Sequence, residues 1–114
     1  MTEILIFKKL FFLDGLNITV RMGTKWDKFN NIENGMLQSL EGKNIKSKIL
    51  ASFSLPFKSI PDNLLKLEHD PECRDMIGLY NTMCEIYPNF SVDDIVTIVF
   101  FIPDVNGNTK DINR

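Results

Sequence analysis

Apolar and polar residues alternate along this chain at two different periods, and the switches between them divide it into strands and helices. Residues 3–7 read as a strand, and residues 8–14 as a short helix or turn that packs Leu10, Phe11 and Leu13 before a break at Gly15. Residues 16–21 alternate strictly, with Leu16, Ile18 and Val20 on one face and Asn17, Thr19 and Arg21 on the other. Such a strand, ending near Met22-Gly23, separates a core face from a polar face. Residues 24–35 are polar, with isolated aromatics (Trp26, Phe29) and two Asn/Gly signals, which predicts the longest loop of the chain and a candidate binding loop. A strand over 36–40 and a turn at Glu41-Gly42 follow. Residues 45–55 give the cleanest alternation: Ile45, Ser47, Ile49, Ala51, Phe53 and Leu55 share one face, and Lys46, Lys48, Ser52 and Ser54 the other.

The helical period takes over in the second half. Ser59-Ile60-Pro61-Asp62 has the form of a capping box with proline in the first turn, predicting a short helix to about Leu67. Asp70-Pro71-Glu72 repeats the start signal, and Cys73, Met76, Leu79, Tyr80, Met83, Cys84 and Tyr87 then recur at three- and four-residue spacing. That predicts one amphipathic helix, stopped at Tyr87-Pro88 and packed on a sheet. Residues 95–102 are uninterrupted, β-branched and aromatic, as in a strand buried on both faces. Residues 104–114 contain Asn106-Gly107 and little to bury, so a mobile tail is expected there.

With 114 residues, 44% of them hydrophobic, the chain has material for one core and one domain. Its apolar runs are far shorter than the roughly 20 residues that span a bilayer, and Glu3 with Lys8-Lys9 reverses a signal peptide's order. A cytoplasmic protein without a membrane partner is expected. Cys73 and Cys84 read as free core thiols. His69 is the single histidine, so neither a His-based metal site nor a Ser/His/Asp triad is expected, and no cofactor is implied.

The net charge of −2 conceals an asymmetry: residues 1–58 carry nine Lys/Arg against five Asp/Glu, and residues 59–114 four against ten. The basic half can face a polyanion, while overall acidity argues against tight non-specific binding to duplexes. Ten lysines against three arginines, with a single alanine, is the composition of an AT-rich genome such as a phage's.

Candidate chemistry gathers on residues 15–26. Asn17, Thr19 and Arg21 offer an amide, a hydroxyl and a guanidinium that can converge on a base edge, a phosphate or a carbonyl. Alternatively, Arg21 pairs with Glu72 or Asp75 to close the fold. Lys25 and Trp26 follow, the tryptophan as a stacking platform or a cap on the apolar interior. Glu72, in a helix's first turn, suits either a capping role or an acid/base role. His69 reads as a linker between helical segments rather than a catalytic base.

The glycine-started strand ending in arginine, the two capped helices, the Tyr87-Pro88 stop and the final apolar strand together resemble the ASCH family, a branch of the PUA-like β-barrels. The likeness spans roughly residues 4–102 and rests on Gly15 to Trp26, on Leu64 to Asp75 around Glu68-His69-Asp70-Pro71, and on Ile86-Tyr87-Pro88 leading into Val96 to Phe101. It implies an α+β fold: a small PUA-like β-barrel of about five to six strands with two to three helices, over residues 1–103. It also implies a cleft beside strand 15–21 and a role in binding RNA, a nucleotide or a nucleoside. Small bacterial relatives of that family are amidohydrolases that deacetylate acetylcytidine with a lysine and a threonine in a GxKTxTxR strand, plus a glutamate. Aligned from Arg21, Thr19 matches the second threonine, Asn17 stands where the first would be, and Leu16 occupies the lysine position. Counting back from Tyr87-Pro88, the glutamate falls on Glu72. The broader GxKxxExR motif lacks both its lysine and its glutamate here. The resemblance therefore implies binding by Asn17, Thr19, Arg21, Lys25 and Trp26. An amidohydrolase weakened by the missing lysine is the alternative, with Thr19 and Glu72 as its catalytic pair, and a phage-type protein that binds a protein partner is a third.

Overall fold

The computed structural model describes residues 3–8 and 10–104. Its strands are β1 (Ile4–Phe7), β2 (Asn17–Met22), β3 (Asn30–Ser39), β4 (Asn44–Pro56) and β5 (Ile95–Pro103), and its one α-helix is α1 (Met76–Ile86). They form a single five-stranded sheet in the order β1-β3-β4-β5-β2, with β1 parallel to β3 and every other pair antiparallel. The sheet curls into an open half-barrel rather than a closed barrel, so β1 and β2 are its two edges. No helix among the described residues is long and apolar enough to cross a membrane.

Two apolar clusters lie on opposite faces of this sheet. Inside the curl, Leu5, Phe7, Leu37, Ile45, Ile49, Val99 and Phe101 meet Phe12 and Phe29. On the outer face, Ile18, Val96 and Ile98 meet Phe57, Ile60, Leu65, Cys73, Leu79, Met83 and Phe90 from the helical segments. β5 contributes to both clusters, so Val96 to Val99 are buried on both faces, whereas Phe100 and Ile102 are only partly covered on the outer face.

Several local expectations need correction. Residues 10–13 form no helix; they run without regular structure along the open side of the curl. The second half of the polar stretch 24–35 is strand: after a turn at 24–28, β3 begins at Asn30, its polar residues exposed and a register shift between Ile32 and Gly35. In β4 the alternation does not run through. Ile49 pairs with Phe101 and Ala51 with Phe100, so a bulge lies between them. One extra residue moves all later side chains to the opposite face. Ile45, Ser47 and Ile49 therefore share the inner face with Ser52 and Ser54, while Ala51, Phe53 and Leu55 turn outward with Lys46 and Lys48.

The helical half is more broken than its periodicity suggests. The capping box at Ser59 is not used: 3-10 turns span Phe57–Ser59 and Asp62–Leu67, neither with a side-chain cap. Asp70 does cap, accepting the Glu72 N–H, but the turn it starts ends at Cys73. α1 restarts after Asp75, whose extended backbone (φ −142°, ψ 166°) places its carboxylate to accept the Gly78 N–H at 2.7 Å. The Glu72 carbonyl lies so close over Gly78 that a Cβ there would collide with it, so the kink depends on a residue without a side chain. Asp75→Ala is expected to cost about 1 kcal/mol through loss of this cap, read as a lower urea midpoint with unchanged slope. Tyr87-Pro88 ends α1 as expected. Cys73 is buried and burial pushes its thiol up to about 12, whereas Cys84 is exposed and is not a core thiol. Of the tail expected at 104–114, only Asp104 is among the described residues.

Candidate functional site

The polar row of β2 faces inward. Asn17 and Thr19 pair with Phe101 and Val99, which belong to the inner cluster, so the row projects into the concave side of the sheet rather than onto an open surface. The curl of the sheet causes this: a face that would be solvated on a flat sheet becomes an interior when the two edges approach.

Asn17 is fully buried and satisfied by its own turn. Its Oδ1 accepts the Leu13 N–H at 2.8 Å, and its Nδ2 donates to the carbonyls of Leu13 and Gly15 at 2.9 and 3.0 Å. The amide clamps the chain as it enters β2, where Gly15 adopts a positive φ of 82°. With every polar group so occupied, Asn17 is a structural clamp and not the ligand reader expected from its place in the row.

Arg21 spans the open side of the half-barrel. Its guanidinium donates to the Ile6 carbonyl on β1 at 2.9 Å, joining the two edge strands across the gap. Its central carbon lies 4.9 Å from the Phe7 ring centroid and 5.0 Å from that of Trp26. Two aromatic rings and a carbonyl hold the cation in place. Burial lowers its pKa, against which the nearby Tyr87 and Glu68 pull it back up. Neither Glu72 nor Asp75 is its partner. Among the described residues, Arg21 Nε is the one buried side-chain polar atom that lacks a hydrogen-bond partner.

The rest of the gap is filled by residues 68–69. Glu68 bridges Ile18 in parallel fashion, and the His69 N–H donates to the Ile18 carbonyl at 3.1 Å. Arg74 grips the same segment from behind, its Nε and a terminal nitrogen donating to the Glu68 and His69 carbonyls at 2.8 and 3.2 Å. The His69 ring packs against Phe7, Phe12 and Phe101. Its Nδ1 sits 3.3 Å from the Phe11 carbonyl, which can only accept, so Nδ1 carries the proton. Its Nε2 lies 3.2 Å from Glu68 Oε1, which also accepts the Asp70 N–H at 3.1 Å.

Burial acts on both members of this pair in the same sense, against charge. It raises the Glu68 carboxyl to about 8 despite the Asp70 N–H, Arg21 and Arg74, which favour the carboxylate. It lowers His69 to about 4, with Asp70 and the Phe11 carbonyl opposing and the two arginines assisting. At neutral pH the contact is therefore a neutral hydrogen bond, with the carboxylic acid donating to the imidazole Nε2, and not an ion pair.

The other expected site residues scatter. Thr19 lies on the inner face but is only 5% exposed. Trp26 is half-buried against the inner cluster, stacked on Phe29 and lying against Arg21, and its carbonyl accepts from Ser52 Oγ at 2.7 Å. Lys25 is exposed, its ammonium 4.9 Å from the Trp26 ring centroid. Lys28 pairs with Glu3 at 3.5 Å. Glu72 is exposed in its 3-10 turn, so the buried acid beside β2 is Glu68. Arg21, Trp26 and Lys25 thus come together at the mouth of the β1–β2 seam, while Asn17 and Glu72 do not join them. Among the described residues no three His, Cys, Asp or Glu side chains converge as metal ligands would.

No family model, curated protein or solved structure matches this chain. Its chemistry must be argued from the seam itself. Sequence reasoning missed Glu68 as a buried acid and placed His69 as a mere linker. One signal was available: the sole histidine sits between two acids in a segment flanked by the apolar Leu64, Leu65 and Leu67, where a solvated loop would be polar throughout.

Proposed function

We propose that this chain is an RNA- or nucleotide-binding module, an ASCH-type domain of the PUA-like barrels, that takes its ligand at the β1–β2 seam. The observation that carries this reading is Arg21: a guanidinium fixed between two rings, with its Nε–H buried and unpaired. An unpartnered buried donor on a charged group costs on the order of 1–3 kcal/mol or more, which an acceptor from a phosphate or a base edge would recover once the seam opens to admit it. Lys25 supplies a second cation beside the Trp26 ring, and the two flank an aromatic surface suited to a base. The curled five-strand sheet with few helices is consistent with a small α+β barrel-like fold, the architecture this reading requires.

Trp26 is the sole tryptophan, so its fluorescence reports on this seam. Titration with uridine monophosphate or a short ribo-oligonucleotide is expected to quench it, and Arg21→Ala to weaken that binding about tenfold, the equivalent of roughly 1.4 kcal/mol. Arg21→Lys keeps the charge but loses the planar fork, and is expected to bind nearly as poorly. A folded Arg21→Ala protein that binds like the parent would end this reading.

Amidohydrolysis of an acetylcytidine-type nucleoside is the second reading, and one observation bears on it. The buried acid beside β2 is Glu68, paired with His69, so an acid/base role passes from Glu72 to that pair. Against it, the 5% exposure of Thr19 leaves its hydroxyl out of a substrate's reach while the seam is closed. Acetate release that survives Thr19→Val, or none at high protein concentration, would dispose of it.

A further inference from the structure

A second surface, away from the seam, carries the groups that hold single-stranded nucleic acid. The helical segments cover only part of the sheet's outer face. The bulge in β4 turns Phe53 outward, where it is 41% exposed and stacks on Phe100 of β5 with centroids 5.8 Å apart and planes at 24°. Farther along the same face, Lys48 stands opposite Ile102, two residues from Phe100 and therefore about 7 Å along β5. Lys46 is the next outward residue of β4, and both lysines are exposed.

Within β4 and β5 the outward charges are the two lysines, with no acid among them; Asp104 follows one residue past β5, its N–H donating to the Lys46 carbonyl. Two like charges in a row are not neutralised within the strands themselves and favour a polyanion. Nor does the strand need an outward phenylalanine for its core, which is built from Val96, Ile98 and Leu55 on the covered part of that face. A stacked aromatic pair on an open sheet, with ammonium groups one and two positions beyond it, matches a ligand that alternates flat bases with phosphates.

We infer that the uncovered outer face of β4 and β5 binds single-stranded RNA, with a base stacking on Phe53 and Phe100 and the following phosphates running past Lys48 and Lys46. The inference rests on the nucleic-acid reading above for its ligand class, but not on the seam. A strand too long for the seam alone would gain a second point of attachment, so an oligonucleotide would bind more tightly than a mononucleotide.

The test uses the full chain and a dye-labelled oligouridylate of about ten nucleotides, followed by anisotropy at several salt concentrations. Phe53→Ala is expected to weaken binding about tenfold and Phe53→Trp to preserve it. The double change Lys46→Gln and Lys48→Gln is expected to flatten the dependence of log affinity on log salt by about 1.4, or about 0.7 for each phosphate that a lysine no longer neutralises. Quenching of Trp26 by uridine monophosphate is measured in parallel and should be the same in all these variants, because it reads the seam. Oligonucleotide binding that Phe53→Ala and the double lysine change leave intact overturns the sheet-face proposal, whatever the seam does. Loss of binding in those variants with no mononucleotide quenching in any protein supports the sheet face and removes the seam. Concentration-dependent dimers of the parent that Phe53→Ala dissolves, without oligonucleotide binding, would reassign this face to self-association.

Discussion

Asn17→Ala is expected to destabilise the fold by about 3 kcal/mol, as a buried amide whose partners are left without replacement. Asn17 has no exposed surface and makes three hydrogen bonds, all to the backbone of the turn that leads into β2. Truncation leaves one N–H and two carbonyls unpaired near the inner cluster, and it removes the clamp that sets how the chain enters β2. Asn17→Asp retains an acceptor for the Leu13 N–H but turns an oxygen toward the Leu13 and Gly15 carbonyls, so it too should destabilise. Urea unfolding of both variants is the measurement. A loss under about 1 kcal/mol in Asn17→Ala would show that the turn holds without the amide, while nucleotide affinity per folded molecule is expected to stay at the parent value.

Stability is also expected to fall by about 2 kcal/mol between pH 6.5 and pH 9, because Glu68 is held protonated in the folded state. An exposed glutamate titrates near 4.5, whereas burial raises Glu68 to about 8. The unfolded chain therefore binds fewer protons than the native one across that interval. The stability from this raised pKa is complete below the unfolded value and is lost as pH climbs through the folded value. His69 works in the opposite direction: lowered from 6.5 to about 4, it makes the native state lose stability as pH falls through that range. Between about 4.5 and 6.5 the two slopes oppose each other and the pH dependence should be shallow, leaving the decline above 6.5 to Glu68. Glu68→Gln is expected to abolish the alkaline decline while keeping a hydrogen bond to His69. An unchanged decline in that variant would assign it to another group.

What could be read from individual residues depended on whether their partners were close in sequence. The twofold period of 16–22 placed β2 correctly, Asp70 caps its own turn, and Tyr87-Pro88 stops α1 where it should, because each of these depends on groups within a few residues. The face of Phe53 could not be read, since one extra residue near Leu50 reverses the assignment of all later residues of β4, and only pairing with β5 reveals it. The second half of the 24–35 stretch looked like loop because an exposed portion of strand needs no apolar residues when its hydrogen bonds come from β4. The helix predicted from Pro71 onward breaks at Arg74-Asp75, where Arg74 is recruited to carbonyls of the distant-facing seam segment and Asp75 restarts the helix.

The amino-acid sequence by itself determined the approximate places of the five strands and of α1, the burial of Val96 to Val99 in β5, and the row of Asn17, Thr19 and Arg21 on one side of β2. It determined these because backbone periodicity and caps are local. Tertiary structure alone decided what that row is for. Curling the sheet brought β1 within reach of Arg21, gave Asn17 to its own turn, enclosed Thr19, and set Glu68 and His69 into the gap as a neutral pair. Curvature, edge pairing and desolvation are properties of the assembled sheet, and no single strand carries them.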